Sequence, residues 1–139
     1  MNANNLRSAK QRDHVVAVVV VGPDGVPLVR DPTKDAPLYW KAPGGRGEPG
    51  ESAEQVAVRE VKGETGVALS PEKLRLYDKK DAGSHTVSFF LAEVPALLGL
   101  KKVGDGGEEV RVFSLWEILA LQDLFPPHSK ILKEIACKV

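Results

Sequence analysis

Apolar residues fall along this chain in two periods, and the switches between them mark its elements. Residues 14–21 (HVVAVVVV) form an unbroken β-branched run of strand length, which predicts a central strand buried on both faces. The turn Gly22-Pro23-Asp24-Gly25 follows, and residues 26–30 are expected to return as the second strand of a hairpin. Residues 31–37 are polar and punctuated by proline, a loop that delivers Leu38, Tyr39 and Trp40. The period becomes helical after Ser52, an N-cap whose capping box is completed by Gln55, and the helix runs from about 53 to 65 before stopping at Gly66. Residues 73–80 alternate apolar and charged positions as a half-exposed strand does, and residues 85–94 (HTVSFFLAEV) read as a second core strand. A turn at 81–84 separates them. Residues 95–107 are glycine-rich and read as a mobile loop, and residues 109–113 (EVRVF) as a last short strand. A second capping box, Ser114 with Glu117, opens a helix that carries Trp116 on its apolar face, and Pro126-Pro127 primes a final helix through Ile131, Leu132 and Ile135.

This order is not the regular alternation of a doubly wound sheet. It predicts an α/β fold with a mixed sheet and helices packed on its faces, as one domain over residues 14–139 after a flexible polar tail at 1–13. Lys+Arg and Asp+Glu are both 19, so the formal net charge is zero and exerts no bulk pull on nucleic acid or anionic membrane. No apolar run approaches the ~20 residues that span a bilayer, and the polar amino terminus lacks the apolar stretch of a secretory signal. The single cysteine, Cys137, has no internal partner, which fits a reducing compartment; the expected location is cytoplasmic.

Candidate chemistry is concentrated in residues 43–67, where three phosphate-binding patterns overlap. Gly45-Arg46-Gly47-Glu48-Pro49-Gly50 matches GxGxxG, but a dinucleotide fingerprint needs a strand directly before it, and the strong strand at 14–21 ends far upstream. The same stretch approaches GxxxxGK[ST], except that Glu51 stands where the lysine belongs and would repel phosphate. The third pattern is longer: Gly45, five residues, Glu51, seven residues, Arg59-Glu60-Val61, one residue, then Gly63-Glu64-Thr65-Gly66-Val67. It resembles the Nudix box GX5EX7REUXEEXGU, with U bulky and apolar, at every named residue but one. At about 100° per residue Glu60 and Glu64 project from one side of the helix, while Ala57, Val58 and Val61 form an adjoining stripe that packs on a sheet.

The Nudix resemblance implies an α/β/α sandwich and hydrolysis of a pyrophosphate bond in a nucleoside diphosphate linked to another group. It implies magnesium as cofactor, with manganese as a substitute, and a nucleotide as the partner; the family is often dimeric. By the same resemblance Glu64 is a metal ligand, Glu60 a second ligand or the group that orients the attacking water, and Gly45 offers its backbone carbonyl. Arg59 is expected to brace Glu51 against Glu60. Gly63 replaces the first glutamate of the Glu-Glu pair. Fewer protein ligands and more metal-bound water, a carboxylate from Glu108 or Glu109, or a domain that binds nucleotide without cleaving it each fit that change. Tyr39 and Trp40 are candidates to stack on a base or to fill the core, and Arg46 is a candidate substrate contact. The stretch where subfamilies carry a substrate marker, residues 82–85, holds neither the proline nor the tyrosine of two known classes. Nucleoside triphosphates are the plain expectation, with nucleotide sugars and other diphosphates open. The three histidines show no zinc spacing and read as surface or packing residues.

Overall fold

A computed structural model of the protein describes residues 14–139; the tail expected at 1–13 lies outside the described residues. Strands β1 (His14–Val21), β2 (Val26–Arg30), β3 (Gly44–Arg46), β4 (Arg75–Asp81), β5 (Thr86–Glu93) and β6 (Glu109–Phe113) alternate with helices α1 (Ala53–Thr65), α2 (Leu115–Ala120) and α3 (Pro126–Lys138). The main sheet has the order β3-β1-β5-β4, with β1 and β5 parallel and the other pairs antiparallel. This is the mixed sheet that the order of elements predicts.

The continuous apolar run of β1 is explained by what lies on each side of it. Val16, Val18 and Val20 face α1, where they meet Val56, Ala57 and Val61 together with Phe90 of β5. Ala17, Val19 and Val21 face the opposite layer, built from Leu28, Trp40, Phe113 and the α2–α3 residues Ile118, Ile131, Leu132 and Ile135. A strand that packs on both faces has no room for a polar position. Each fully buried valine contributes about 1.5 kcal/mol or more, so β1 is the member both layers depend on.

Two local expectations are corrected. β2 does not form a hairpin ladder with β1: only Gly22 and Gly25 pair across the turn, and β2 instead pairs antiparallel with β6 as a separate two-stranded sheet. Trp116 is not core; it stands 83% exposed in the first turn of α2, whose inward position is taken by Ile118.

Residues 95–107, expected to be mobile, are hydrogen-bonded to the end of α1. Lys101 N–H donates to Thr65 O at 2.8 Å, Asp105 N–H to Gly63 O at 2.8 Å, and the Gly66 N–H closes back on Lys62 O. The terminal carbonyls of a helix lack partners of their own, and here the loop backbone supplies them. Gly66 ends the helix at φ 83°, the left-handed conformation in which a β-carbon is costly.

Candidate active site

The site is assembled where β3 and the loop after it cross α1. Ser52 accepts from Gln55 N–H while the Gln55 side chain accepts from Ser52 N–H, so the helix begins at a fixed point. Its inward stripe of Val56, Ala57 and Val61 is buried on the sheet, and that packing sets the rotation of the helix. Glu60 and Glu64 consequently face the glycine-rich strand β3. Three glycine-loop contacts then define the geometry. Gly44 N–H donates to Glu64 Oε1 at 3.0 Å. A methyl group on Gly44 would collide with the Val16 carbonyl across the β1–β3 ladder, and one on Gly45 would come within 2.6 Å of the Glu60 carboxylate. The absence of side chains at 44 and 45 therefore lets the loop backbone lie directly against both carboxylates.

Arg59 braces this arrangement from outside. Its Nε and Nη2 donate to the two Glu51 carboxylate oxygens, both at 2.8 Å, its Nη1 donates to Glu60 Oε1 at 2.9 Å, and Nη2 also reaches Arg46 O at 3.4 Å. A planar guanidinium serves two carboxylates at once where a lysine serves one. The Arg59 pair, followed by the Glu48 N–H, holds the Glu51 carboxyl down to about 2. Burial pushes Glu64 the other way, up to about 7; the Gly44 N–H and Lys41 oppose the rise, and the negative charges of Glu60 and Glu108 add to it.

Of the two acidic residues expected from the last strand, only Glu108 comes toward Glu64. Its Oε1 accepts from Gly106 N–H at 3.2 Å, and Gly104 is wedged between it and the Glu64 backbone. Glu109 is engaged elsewhere: Arg30 donates to its Oε2 from Nη2 at 2.6 Å and Nε at 3.2 Å, across the β2–β6 pair. The same guanidinium covers the Trp40 ring at 4.4 Å, and Phe113 packs on that indole at 5.0 Å. Trp40 is 5% exposed and is a core residue, so its face is closed to a base. Tyr39 is half-buried, 6.4 Å from the Phe125 ring, and both line a cleft; Arg46 is exposed on β3. At Gly63, apart from its chain neighbours and the backbone of its own helix turn, nothing lies within 4 Å of where a β-carbon would stand.

His128 is a contributor that the sequence reading left among packing residues. Its Nδ1 accepts from Ala42 N–H at 3.2 Å, and its ring meets Phe125 and Phe89 edge-on at 4.9 and 5.6 Å. The Ala42–Gly44 stretch thus hangs between two acceptors, His128 from α3 and Glu64 from α1. No sequence spacing signals this, because the partners are 86 residues apart.

Hard oxygen donors on a rigid helix suit a divalent cation such as Mg2+ or Mn2+. The fit is visible in Glu64, a half-buried carboxylate beside two further acids with only a backbone N–H and the field of Lys41 to offset them. The set is sparse: among the described residues no three His, Cys, Asp or Glu side chains are gathered closely enough to hold a metal on their own. Among the described residues no helix is long and apolar enough to cross a membrane.

Known proteins share both the sequence pattern and the fold. The chain is 38% identical over 94 residues to a putative 8-oxo-dGTP diphosphatase of Bacillus subtilis (strain 168), covering 66% of this chain and 59% of that protein. It therefore spans less than two thirds of the relative's length. A solved structure from work on MutT of Aliivibrio salmonicida and Vibrio cholerae superposes with a TM-score of 0.73 at 23% identity, over 91% of this chain and 98% of that one. MutT of Bacillus halodurans superposes at 0.67 with 25% identity, over 88% and 81% of the two chains. The NUDIX domain model matches residues 10–135, which takes in the glycine loop, the acidic helix and both packed layers, and on that match the chain belongs to the Nudix family.

Proposed function

We propose that the chain is a divalent-metal-dependent pyrophosphohydrolase, acting on a nucleoside triphosphate or a related nucleoside diphosphate derivative. The observation that carries this reading is the half-buried Glu64 carboxylate, held by Gly44 N–H beside a Glu60 that Arg59 ties to Glu51. Bound there, Mg2+ or Mn2+ supplies positive charge that draws in phosphate oxygens and offsets the charge that grows on them during reaction. Glu64 and Glu60 are the side chains suited to hold it, with the Gly45 carbonyl and the Glu108 carboxylate as further oxygens. Magnesium keeps several water ligands readily, which suits a site lacking a carboxylate at Gly63.

Around that charge the chain's own groups divide the work. Glu60, pinned by Arg59 Nη1, is the candidate to orient the attacking water or to serve as second ligand. Arg59 and Glu51 fix its direction without touching substrate, a supporting role typical of the shell behind metal ligands. The water oxygen bonds to phosphorus as the bridging P–O bond breaks; the bridging oxygen leaves with the released phosphate group, and the water proton passes to a carboxylate oxygen. Tyr39, half-buried at the cleft, offers a ring to the base, and exposed Arg46 offers charge to the phosphates.

The Bacillus subtilis relative's name makes 8-oxo-dGTP the first compound to test, alongside dGTP, ADP-ribose and a nucleotide sugar. The test is release of nucleoside monophosphate and of pyrophosphate or phosphate with Mg2+, with Mn2+, and with chelator. Turnover with metal and none with chelator is expected. Binding of the nucleotides without turnover, or turnover indifferent to chelator, overturns the proposal.

A further inference from the structure

Between residues 31–41 and Phe125 lies a cleft of about 300 Å³, with Tyr39, Lys41 and Phe125 among its walls. That volume is of nucleoside size, at the lower end of ordinary ligand pockets. The lysine backbone is fixed by paired bonds to Val29, with Lys41 N–H donating to Val29 O and Val29 N–H to Lys41 O, both at 2.9 Å. Its Nζ stands 5.9 Å from the Phe125 ring centroid. Three residues on, Gly44 N–H is bonded to Glu64, so the lysine connects the aromatic cleft to the carboxylates.

Two arginines near this region are already committed, and Lys34 is a second lysine on the cleft wall. Arg30 is bonded to Glu109 and Arg59 to Glu51 and Glu60. Lys41 is half-buried and, among the described residues, forms no ion pair with a carboxylate. Its charge nevertheless acts on Glu64. Asp31 and Asp35 share the cleft wall, and the charge of Lys41 is felt at Asp31 without an ion pair. A cation not bonded to a carboxylate, between this cleft and the Glu60–Glu64 pair, is placed for an anionic group spanning the two.

We infer that Lys41 is a substrate-binding residue, contacting the phosphate that joins a nucleoside in the Tyr39–Phe125 cleft to the reacting phosphates at Glu60 and Glu64. The inference rests on the pyrophosphohydrolase reading for its orientation, since the phosphate chain must reach those carboxylates. It adds that the lysine acts in binding rather than in chemistry. A charge-assisted bond of the kind lysine makes to phosphate is worth about 10- to 100-fold in affinity.

Two measurements test it. In turnover with the best substrate of the panel, Lys41→Met should raise KM at least about tenfold while kcat changes less than about threefold, and Lys41→Arg should restore most of the loss. In the absence of metal, GMP should bind wild type and bind Lys41→Met at least about tenfold more weakly, as read by calorimetry. Circular dichroism and Lys41→Gln serve as controls for folding. Lysine-dependent GMP binding without turnover of any substrate would leave this inference standing and remove the hydrolase reading. Equal GMP affinity in wild type and Lys41→Met, no GMP binding by wild type, or a loss confined to kcat would each overturn the inference.

Discussion

Acid should loosen the glycine loop from α3 through one histidine. His128 Nδ1 accepts the Ala42 N–H, so protonating that nitrogen sets a donor against a donor. Burial first, and then the nearby charge of Lys41, pulls His128 down from 6.5 to about 4. The folded-state value lies below the unfolded one, so between them the unfolded chain binds more protons. The neutral ring's stabilising contribution is complete above 6.5 and is lost as pH falls toward 4. At about 1.36 kcal/mol per tenfold step the whole drop is worth at most ~3 kcal/mol, and about 2 kcal/mol of it has gone by pH 5. The ring is half-buried, which makes these upper values. The assay is urea unfolding at pH 7.5 and pH 5.0 of wild type and of His128→Asn, whose amide oxygen can replace Nδ1 as acceptor but does not titrate. Wild type should lose up to about 2 kcal/mol more than the variant over this interval. Equal losses in the two proteins would refute the reasoning, because the common carboxylate titrations cancel in the comparison.

Arg59→Lys keeps the charge and loses the fork. The brace is partly exposed, with Arg59 and Glu51 side chains at 40% and 19%, so stability should fall by about 1 kcal/mol or less in chemical denaturation. Metal-dependent activity should fall about 10- to 100-fold, because Glu60 is released. Gly45→Ala should bring a methyl group against the Glu60 carboxylate and lower kcat with little change in the folding midpoint; unchanged kcat would mean that Glu60 is not held where the loop backbone requires. Gly63→Glu has open space for its side chain and should lower the Mg2+ concentration for half-maximal activity. It also removes a helical glycine, worth up to about 1 kcal/mol, and an unchanged metal requirement would show the missing carboxylate to be unnecessary.

The elements with a strong period or a cap were legible in the chain. β1 was marked by its unbroken β-branched run, α1 by the Ser52–Gln55 box and Gly66, and β6 by residues 109–113, with bounds that the structure reproduces. The paired acids on α1 follow from helical geometry alone, and the bidentate contact of Arg59 with Glu51 gives physical form to the box. What stayed hidden depends on distant partners. β3 consists of two glycines and an arginine and carries no strand propensity; it is a strand because β1 lies beside it. β2 reads equally well as half of a hairpin, and its preference for β6 is set by the layer it joins. Residues 95–107 look mobile by composition, yet the open carbonyls of α1 supply the partners that hold them. Of the two tryptophans, Trp40, open between base stacking and core, is enclosed by Arg30 and Phe113, while Trp116, expected in the core, is left outside because Ile118 takes the inward position of α2.

The central claim is that the Glu64 carboxylate does the metal-dependent work of the site. Glu64→Gln retains an oxygen for the Gly44 N–H and removes the negative charge, so the loop contact survives and the proposed metal ligand is lost. The direct measurement is Mg2+-dependent release of phosphate or pyrophosphate by wild type and Glu64→Gln on the best substrate, with unfolding curves to show that both are folded. The account predicts a loss on the order of a thousandfold in rate with the fold retained. A folded Glu64→Gln protein that turns substrate over at the wild-type rate would contradict it.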